Sequence, residues 1–261
     1  MDNITCPAAR SRLGAFYQCF RQPKSVLRVL GSFRYHYPAG AVKLISDGGL
    51  NFKKTAECFG CEFELAENIG NHGTYFSTPS QLESWIKRLV DACKLMTEEY
   101  VIILEDDVQV LKPVLSRLDC DLNGINEDAR LGDRLTAFLR ARNRTMGDAS
   151  DHYYGGCGGS IIRRAFVAEH FCNVRAAIEE IAPHAKVGLS GPYPSDYYLT
   201  ALVLYFGGSA GGYEGYYEKG WRDYEARARA GLIEVLHQEK GLYCQPLEPW
   251  EAALMNLPVA P

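Results

Sequence analysis

No stretch of eighteen consecutive apolar residues occurs in this 261-residue chain, so it has no segment of the length and character of a membrane-spanning helix. A basic excess is missing as well. The formal net charge is -4 and the pI is near 5.9, which argues against a nucleic-acid partner gripped by a broad cationic face. The first residues, Met1-Asp2-Asn3-Ile4-Thr5-Cys6-Pro7, show neither the basic start nor the apolar run of a secretory signal, and the expectation is a cytoplasmic protein. Cys58 and Cys61 form a C-x-x-C with no second pair to complete a four-cysteine zinc site. The nine cysteines are odd in number and scattered, which fits reduced thiols used as small core residues. Neither a G-x-G-x-x-G in a strand-to-helix turn nor a Walker loop is found, and this disfavours dinucleotide dehydrogenases and P-loop NTPases.

What is present is ordinary globular material, 47% apolar and 23% charged, in a length that suits one large α/β domain. Residues 13–20 read as a first strand, followed from Pro23 by a helix with Val26, Leu27, Leu30 and Phe33 on one stripe. Ala41-Val42-Lys43-Leu44-Ile45-Ser46 reads as a second, buried strand that ends in the turn Asp47-Gly48-Gly49. A short helix over 52–59, a strand over 61–65 and a long helix that begins near Pro79-Ser80 and runs to about Met96 follow, the last with Ser80 as expected N-cap and Glu83 as its capping-box partner. That helix delivers the chain into Tyr100-Val101-Ile102-Ile103-Leu104, the most strand-like run in the sequence. Alternating strands and helices imply a mainly parallel sheet flanked by helices, in which ligands bind at the carboxyl ends of the strands. The regularity fails after Pro113. Residues 118–150 read as a connection or a partly helical insertion; beyond it come a strand at 160–162, one helix over 166–181, another over 195–206 and a last strand at 232–236.

Chemistry concentrates where the strand ending at Leu104 surfaces. Glu105-Asp106-Asp107 crowds three carboxylates at one point, which is unfavourable unless a cation or hydrogen-bond donors compensate. Hard cations such as Mg²⁺ and Mn²⁺ take carboxylate oxygens and leave positions open for substrate phosphates. Capping of the turn before Val108 is the competing structural account. The literal Asp119-Cys120-Asp121 lacks a supporting strand and is expected to be unrelated to the site.

This arrangement resembles the DxD region of GT-A fold glycosyltransferases. The resemblance covers the element order over about residues 13–245; its specific parts are Glu-Asp-Asp and the histidine region Val235-Leu236-His237-Gln238-Glu239-Lys240-Gly241. It implies a GT-A (Rossmann-like) single domain, with residues 13–112 binding the nucleotide-sugar and 113–250 binding the acceptor. By the same resemblance Asp107 and His237 would ligate Mn²⁺ or Mg²⁺. Glu105 or Asp106 would contact the donor, with Asp47 as a further nucleoside contact, and Lys240 would approach the diphosphate. The donor is expected to be UDP-linked and the acceptor a glycan or glycoprotein. The short format and the Ile-Ser-Asp-Gly-Gly turn are also similar to small glycosyltransferases of large algal viruses, which would place the protein in the host cytosol.

An inverting transfer needs a base near the acceptor hydroxyl. Asp196, at the opening of a helix after Pro192-Tyr193-Pro194, is the expected base, although an acid there also suits the helix dipole. Tyr154, Gly156, Gly158 and Trp221 are expected at the acceptor, the glycines by permitting close backbone approach and the rings by offering flat faces to sugars. Two other readings stay open. A sugar nucleotidyltransferase would share fold and metal, but the turn after the first strand, Phe20-Arg21-Gln22-Pro23-Lys24, lacks a glycine-rich loop. A non-catalytic carbohydrate- or nucleotide-binding protein on the same fold is separated by a donor hydrolysis assay with and without Mn²⁺.

Overall fold

The structure is a computed structural model that describes residues 12–70, 75–125, 131–143, 146, 155, 158–185, 192–221 and 223–239. In chain order it contains strand β1 (Leu13–Cys19), helix α1 (Pro23–His36), β2 (Val42–Asp47), α2 (Lys53–Cys58), β3 (Glu62–Ala66), β4 (Tyr75–Phe76), α3 (Pro79–Leu95) and β5 (Tyr100–Leu104). After these come β6 (Gln109–Val110), β7 (Leu122–Gly124), α4 (Asp133–Arg142), β8 (Ile161–Arg163), α5 (Arg164–His170) and α6 (Val174–Ile181). The last described elements are β9 (Tyr193–Pro194), α7 (Ser195–Tyr205), β10 (Ala210–Gly212), β11 (Tyr216–Glu218), α8 (Tyr224–Arg229) and β12 (Val235–His237).

Seven strands form the main sheet in the order β10-β7-β8-β5-β1-β2-β3. The strands β3, β2, β1 and β5 run parallel, as the apolar runs joined by helices predict. Strand β8 then pairs antiparallel with both β5 and β7, while β7 and β10 are parallel to each other. The sheet therefore draws on both halves of the chain.

Because side chains alternate across a strand, one apolar run serves two cores. Phe16, Ile45, Val101 and Ile103 face α3, α5, α6 and α7, whereas Ala15, Tyr17, Leu44, Ile102 and Leu104 face α1. Helix α7 is buried nearly all round, from Tyr198 to Tyr205, as its almost wholly apolar sequence requires.

Several local expectations are corrected. The long helix begins at Pro79, so its cap is Thr78 rather than Ser80 and the box partner is Gln81 rather than Glu83. Thr78 Oγ1 accepts from the Gln81 amide at 3.3 Å, and Gln81 Oε1 accepts from the Thr78 amide at 3.0 Å. Proline suits that first helical position, where its missing N–H costs nothing. The helix expected over 166–181 is two helices, because Asn173 leaves helical geometry (φ -131°, ψ 54°) and starts α6 afresh. The stretch 118–150 contains β7 and α4. Asp121 in it pairs with Arg163 at 2.9 Å and accepts from the backbone amide and hydroxyl of Ser209.

Candidate functional site

Two turns at the carboxyl ends of the parallel strands frame the site. The first follows β2. Gly48 adopts φ 64°, and a Cβ on Gly49 would fall 1.7 Å from the Phe20 carbonyl oxygen, so the chain passes there only as glycine. Asp47, the residue before this turn, is fully buried. Its Oδ1 accepts from Arg88 Nη1 at 2.8 Å and from the Ile69 amide at 3.0 Å, and Arg88 also donates to Gln18 Oε1 at 2.9 Å. Asp47 Oδ2 and Gln18 Nε2 are left buried without a hydrogen-bond partner among the described residues. Burying polar atoms in this way is costly unless something supplies the missing bonds.

The second turn follows β5. The Val108 amide donates to the Glu105 carbonyl at 3.2 Å, and Val108 itself is wholly buried, which anchors the acidic loop from below. The three acids then separate by direction. Asp106 turns inward, where Tyr17 OH donates to its Oδ1 at 2.6 Å. Tyr17 can reach it because β1 lies beside β5 in the register Tyr17↔Leu104. Burial pushes the Asp106 carboxyl up to about 7; the Tyr17 hydrogen bond opposes that shift, and the charges of Asp107 and Glu105 reinforce it. The Tyr17 hydroxyl is itself raised well above its ordinary range, chiefly by burial and then by Asp106.

A raised carboxyl pKa means that the folded chain holds a proton which the unfolded chain has released. Asp106 thus favours the fold below about pH 4, and that contribution is lost as the pH rises to about 7. In chelator-treated protein, the unfolding free energy from urea titrations should fall between pH 5 and pH 7, on the order of 1 kcal/mol per pH unit. Asp106→Asn should flatten this slope. An equal slope in the variant would assign the titration to another group.

Glu105 and Asp107 meet His237, which arrives from the far end of the chain. Strand β12 pairs antiparallel with β6, immediately after the acidic loop, and parallel with β11 on its other side. The Glu239 amide donates to the Asp107 carbonyl at 2.9 Å and pins the two segments together. His237 Nε2 lies 3.5 Å from Asp107 Oδ1 and 3.7 Å from Glu105 Oε2. One ligand atom from each of the three residues lies within 4.8 Å of the others. On its other nitrogen, His237 Nδ1 is 3.0 Å from Glu218 Oε1 and 2.8 Å from the Tyr216 hydroxyl.

Of the other residues singled out in the sequence, Gly158 packs beneath the acids. A Cβ there would fall 2.5 Å from Val108 Cγ2 and 3.0 Å from Glu105 Cβ, so the glycine lets the turn before β8 lie against the loop. Trp221 is half-buried, with its ring edge-on to Tyr217 at 4.7 Å, just beyond β11. Asp196 sits in the first turn of α7, and its Oδ1 accepts from the Tyr197 amide at 2.8 Å. It is not one of the three side chains that converge among the described residues. Tyr154, Gly156 and Lys240 lie outside the described residues. Sequence reasoning missed Tyr17, Arg88 and the pairing of His237 with Tyr216, which it read only as one of several rings that could face a sugar, and with Glu218. The only hint of the last two was the period-two spacing of Tyr216 and Glu218 in a glycine- and tyrosine-rich stretch.

No helix among the described residues is long and apolar enough to cross a membrane. Neither a protein-family model nor a curated protein sequence matches the chain. Solved structures do. An active-site mutant of LgtC is similar over 95% of this chain and 97% of that one, with 14% identity and a TM-score of 0.50. The galactosyltransferase LgtC in complex with donor and acceptor sugar analogues is 13% identical over the same shares, with a TM-score of 0.49. The apo form of the glycosyltransferase GlyE of Streptococcus pneumoniae is 12% identical over 93% of this chain and 59% of that one, with a TM-score of 0.49. With its mainly parallel seven-stranded sheet flanked by helices, the chain has the α/β fold of LgtC, the GT-A type expected from its sequence.

Proposed function

We propose that the protein is a glycosyltransferase that moves a sugar from a nucleoside-diphosphate sugar, expected to be UDP-linked, to a hydroxyl of a glycan or glycoprotein. The observation that carries this reading is the convergence of Glu105, Asp107 and His237 at the carboxyl end of the sheet. Two carboxylate oxygens and an imidazole nitrogen are a donor set that suits Mn²⁺, and the carboxylates suit Mg²⁺ as well. Such a cation, when bound, would neutralise charge on the diphosphate leaving group.

The remaining roles belong to the chain. Asp47 Oδ2 and Gln18 Nε2, buried and unsatisfied, suit the hydroxyl and carbonyl groups of a nucleoside at the ends of β1 and β2. Glu105 reaches the cation cluster, and Asp106 holds the loop through Tyr17. Lys240 is assigned to the diphosphate, and Tyr154, Gly156, Gly158 and Trp221 to the acceptor. Asp196 would take the proton of the attacking hydroxyl in an inverting displacement.

Thermal-shift screening of nucleotide-sugars with and without Mn²⁺ tests the reading, because a ligand that binds only the folded state raises the melting temperature by mass action. The expected hit stabilises only with Mn²⁺ and releases nucleoside diphosphate when acceptors are added. Stabilisation with no release under any acceptor would favour a non-catalytic binding protein, and no stabilisation by any nucleotide-sugar would remove the proposal.

A further inference from the structure

Resting on the proposed metal site, we infer that Glu218 is a positioning residue that fixes the tautomer and ring orientation of His237, so that Nε2 offers its lone pair to a divalent cation. In the parallel pair β11–β12, Glu218 stands opposite His237, and both are nearly buried, at 7% and 8% exposure. Glu218 Oε1 lies 3.0 Å from His237 Nδ1 and 3.2 Å from the Tyr216 hydroxyl. Its second oxygen accepts from Gln238 Nε2 at 3.0 Å. Gln238 adopts φ 60°, in the left-handed region that non-glycine residues seldom occupy, and its side-chain amide closes the hydrogen bonding of the carboxylate.

A carboxylate only accepts hydrogen bonds, so the contact with Glu218 requires the proton of a neutral imidazole to be on Nδ1. Tyr216 is consistent with this assignment. Its hydroxyl can donate to the Gly158 carbonyl at 3.3 Å or to Glu218 Oε1, and the lone pairs of its oxygen then face Nδ1–H. With Nδ1 protonated, Nε2 carries the lone pair, and Nε2 is the atom 3.5 Å from Asp107 and 3.7 Å from Glu105. The opposite tautomer would present an N–H where a cation needs a donor atom. A carboxylate behind a metal-binding histidine also raises the basicity of the ring, and loss of such a partner typically weakens metal binding about 10–100-fold.

The tautomer can be read without any metal. The chain has six histidines, and selective ¹⁵N labelling of their rings, with His237→Ala to assign the resonance, reports which nitrogen holds the proton at a pH where the ring is neutral. Nδ1–H is expected in the unmutated protein, and Nε2–H there would overturn the proposal outright. Glu218→Gln, whose amide can donate to Nδ1, is expected to shift the population toward Nε2–H. It should also lower Mn²⁺ affinity about 10–100-fold in titrations of Mn²⁺ alone followed by electron paramagnetic resonance. In the His237→Ala background the same substitution should have no effect on Mn²⁺ affinity, because its action passes through the ring. An equal loss in both backgrounds, or unchanged affinity in a folded Glu218→Gln protein, would reduce Glu218 to a structural residue. If the unmutated protein binds no Mn²⁺, the metal-dependent function falls, and the ring spectrum still decides the role of Glu218.

Discussion

Asp107→Asn should abolish measurable Mn²⁺-dependent binding of a nucleoside diphosphate while leaving the fold intact. The side chain contributes one of three ligand atoms that converge within 4.8 Å, and it is the one closer to His237 Nε2 of the two carboxylates. Asparagine keeps the shape but loses the charge and one good anionic donor, and a hard cation depends on both. Loss of a direct ligand should exceed the 10–100-fold typical of an outer partner, so a fall of ~10²-fold or more is expected. Folding should survive, since the backbone carbonyl of residue 107 still accepts from the Glu239 amide and the side chain is 19% exposed. Isothermal titration of nucleoside diphosphate with Mn²⁺, alongside circular dichroism, makes the measurement. Unchanged affinity in a folded variant would remove Asp107 from the site.

Asp196→Asn should separate transfer from donor binding. Asp196 lies in the first turn of α7, is not one of the three converging ligands, and accepts from the Tyr197 amide. Asn and Asp are both well accepted at helix starts, so the helix should form in the variant. A general base contributes typically ~10²–10⁴-fold through proton transfer in the transition state without adding ground-state affinity. Turnover should therefore fall by about that factor while the donor dissociation constant stays the same. The anomeric configuration of the product is an independent check, because a single displacement assisted by a base inverts the centre. Retention, or wild-type turnover in the variant, would make Asp196 a helix-terminal acid and nothing more.

The boundary between what could be read in advance and what could not follows segment length. Strands β1, β2 and β5 each bury five or more consecutive residues, and runs of that length announce themselves locally. Strands β6, β7, β8, β11 and β12 have two or three residues each, too few for any period to emerge. Their pairing is set by partners far away in the chain, such as Leu236 opposite Gln109. The Thr78 cap was legible in principle, since Thr-Pro-x-Gln carries a cap, a first-turn proline and a box partner, but the neighbouring Ser80 and Glu83 offered a second pattern of the same kind.

The sequence by itself determined the alternation that yields a parallel sheet and the acidic loop at the end of its most apolar strand, and its resemblance to GT-A fold glycosyltransferases implied the pairing of that loop with His237. Only the tertiary structure decided which of three adjacent acids turns in and which turn out. Consecutive residues leaving a strand share one local signal, and their directions were set by Tyr17 on a neighbouring strand, which captured Asp106, and by β12 crossing beside β6, which brought His237 to Glu105 and Asp107. Glu218 shows the same thing most plainly: nothing near it in the chain points to His237, nineteen residues away, and the parallel register that sets the two side by side exists only once both short strands are packed.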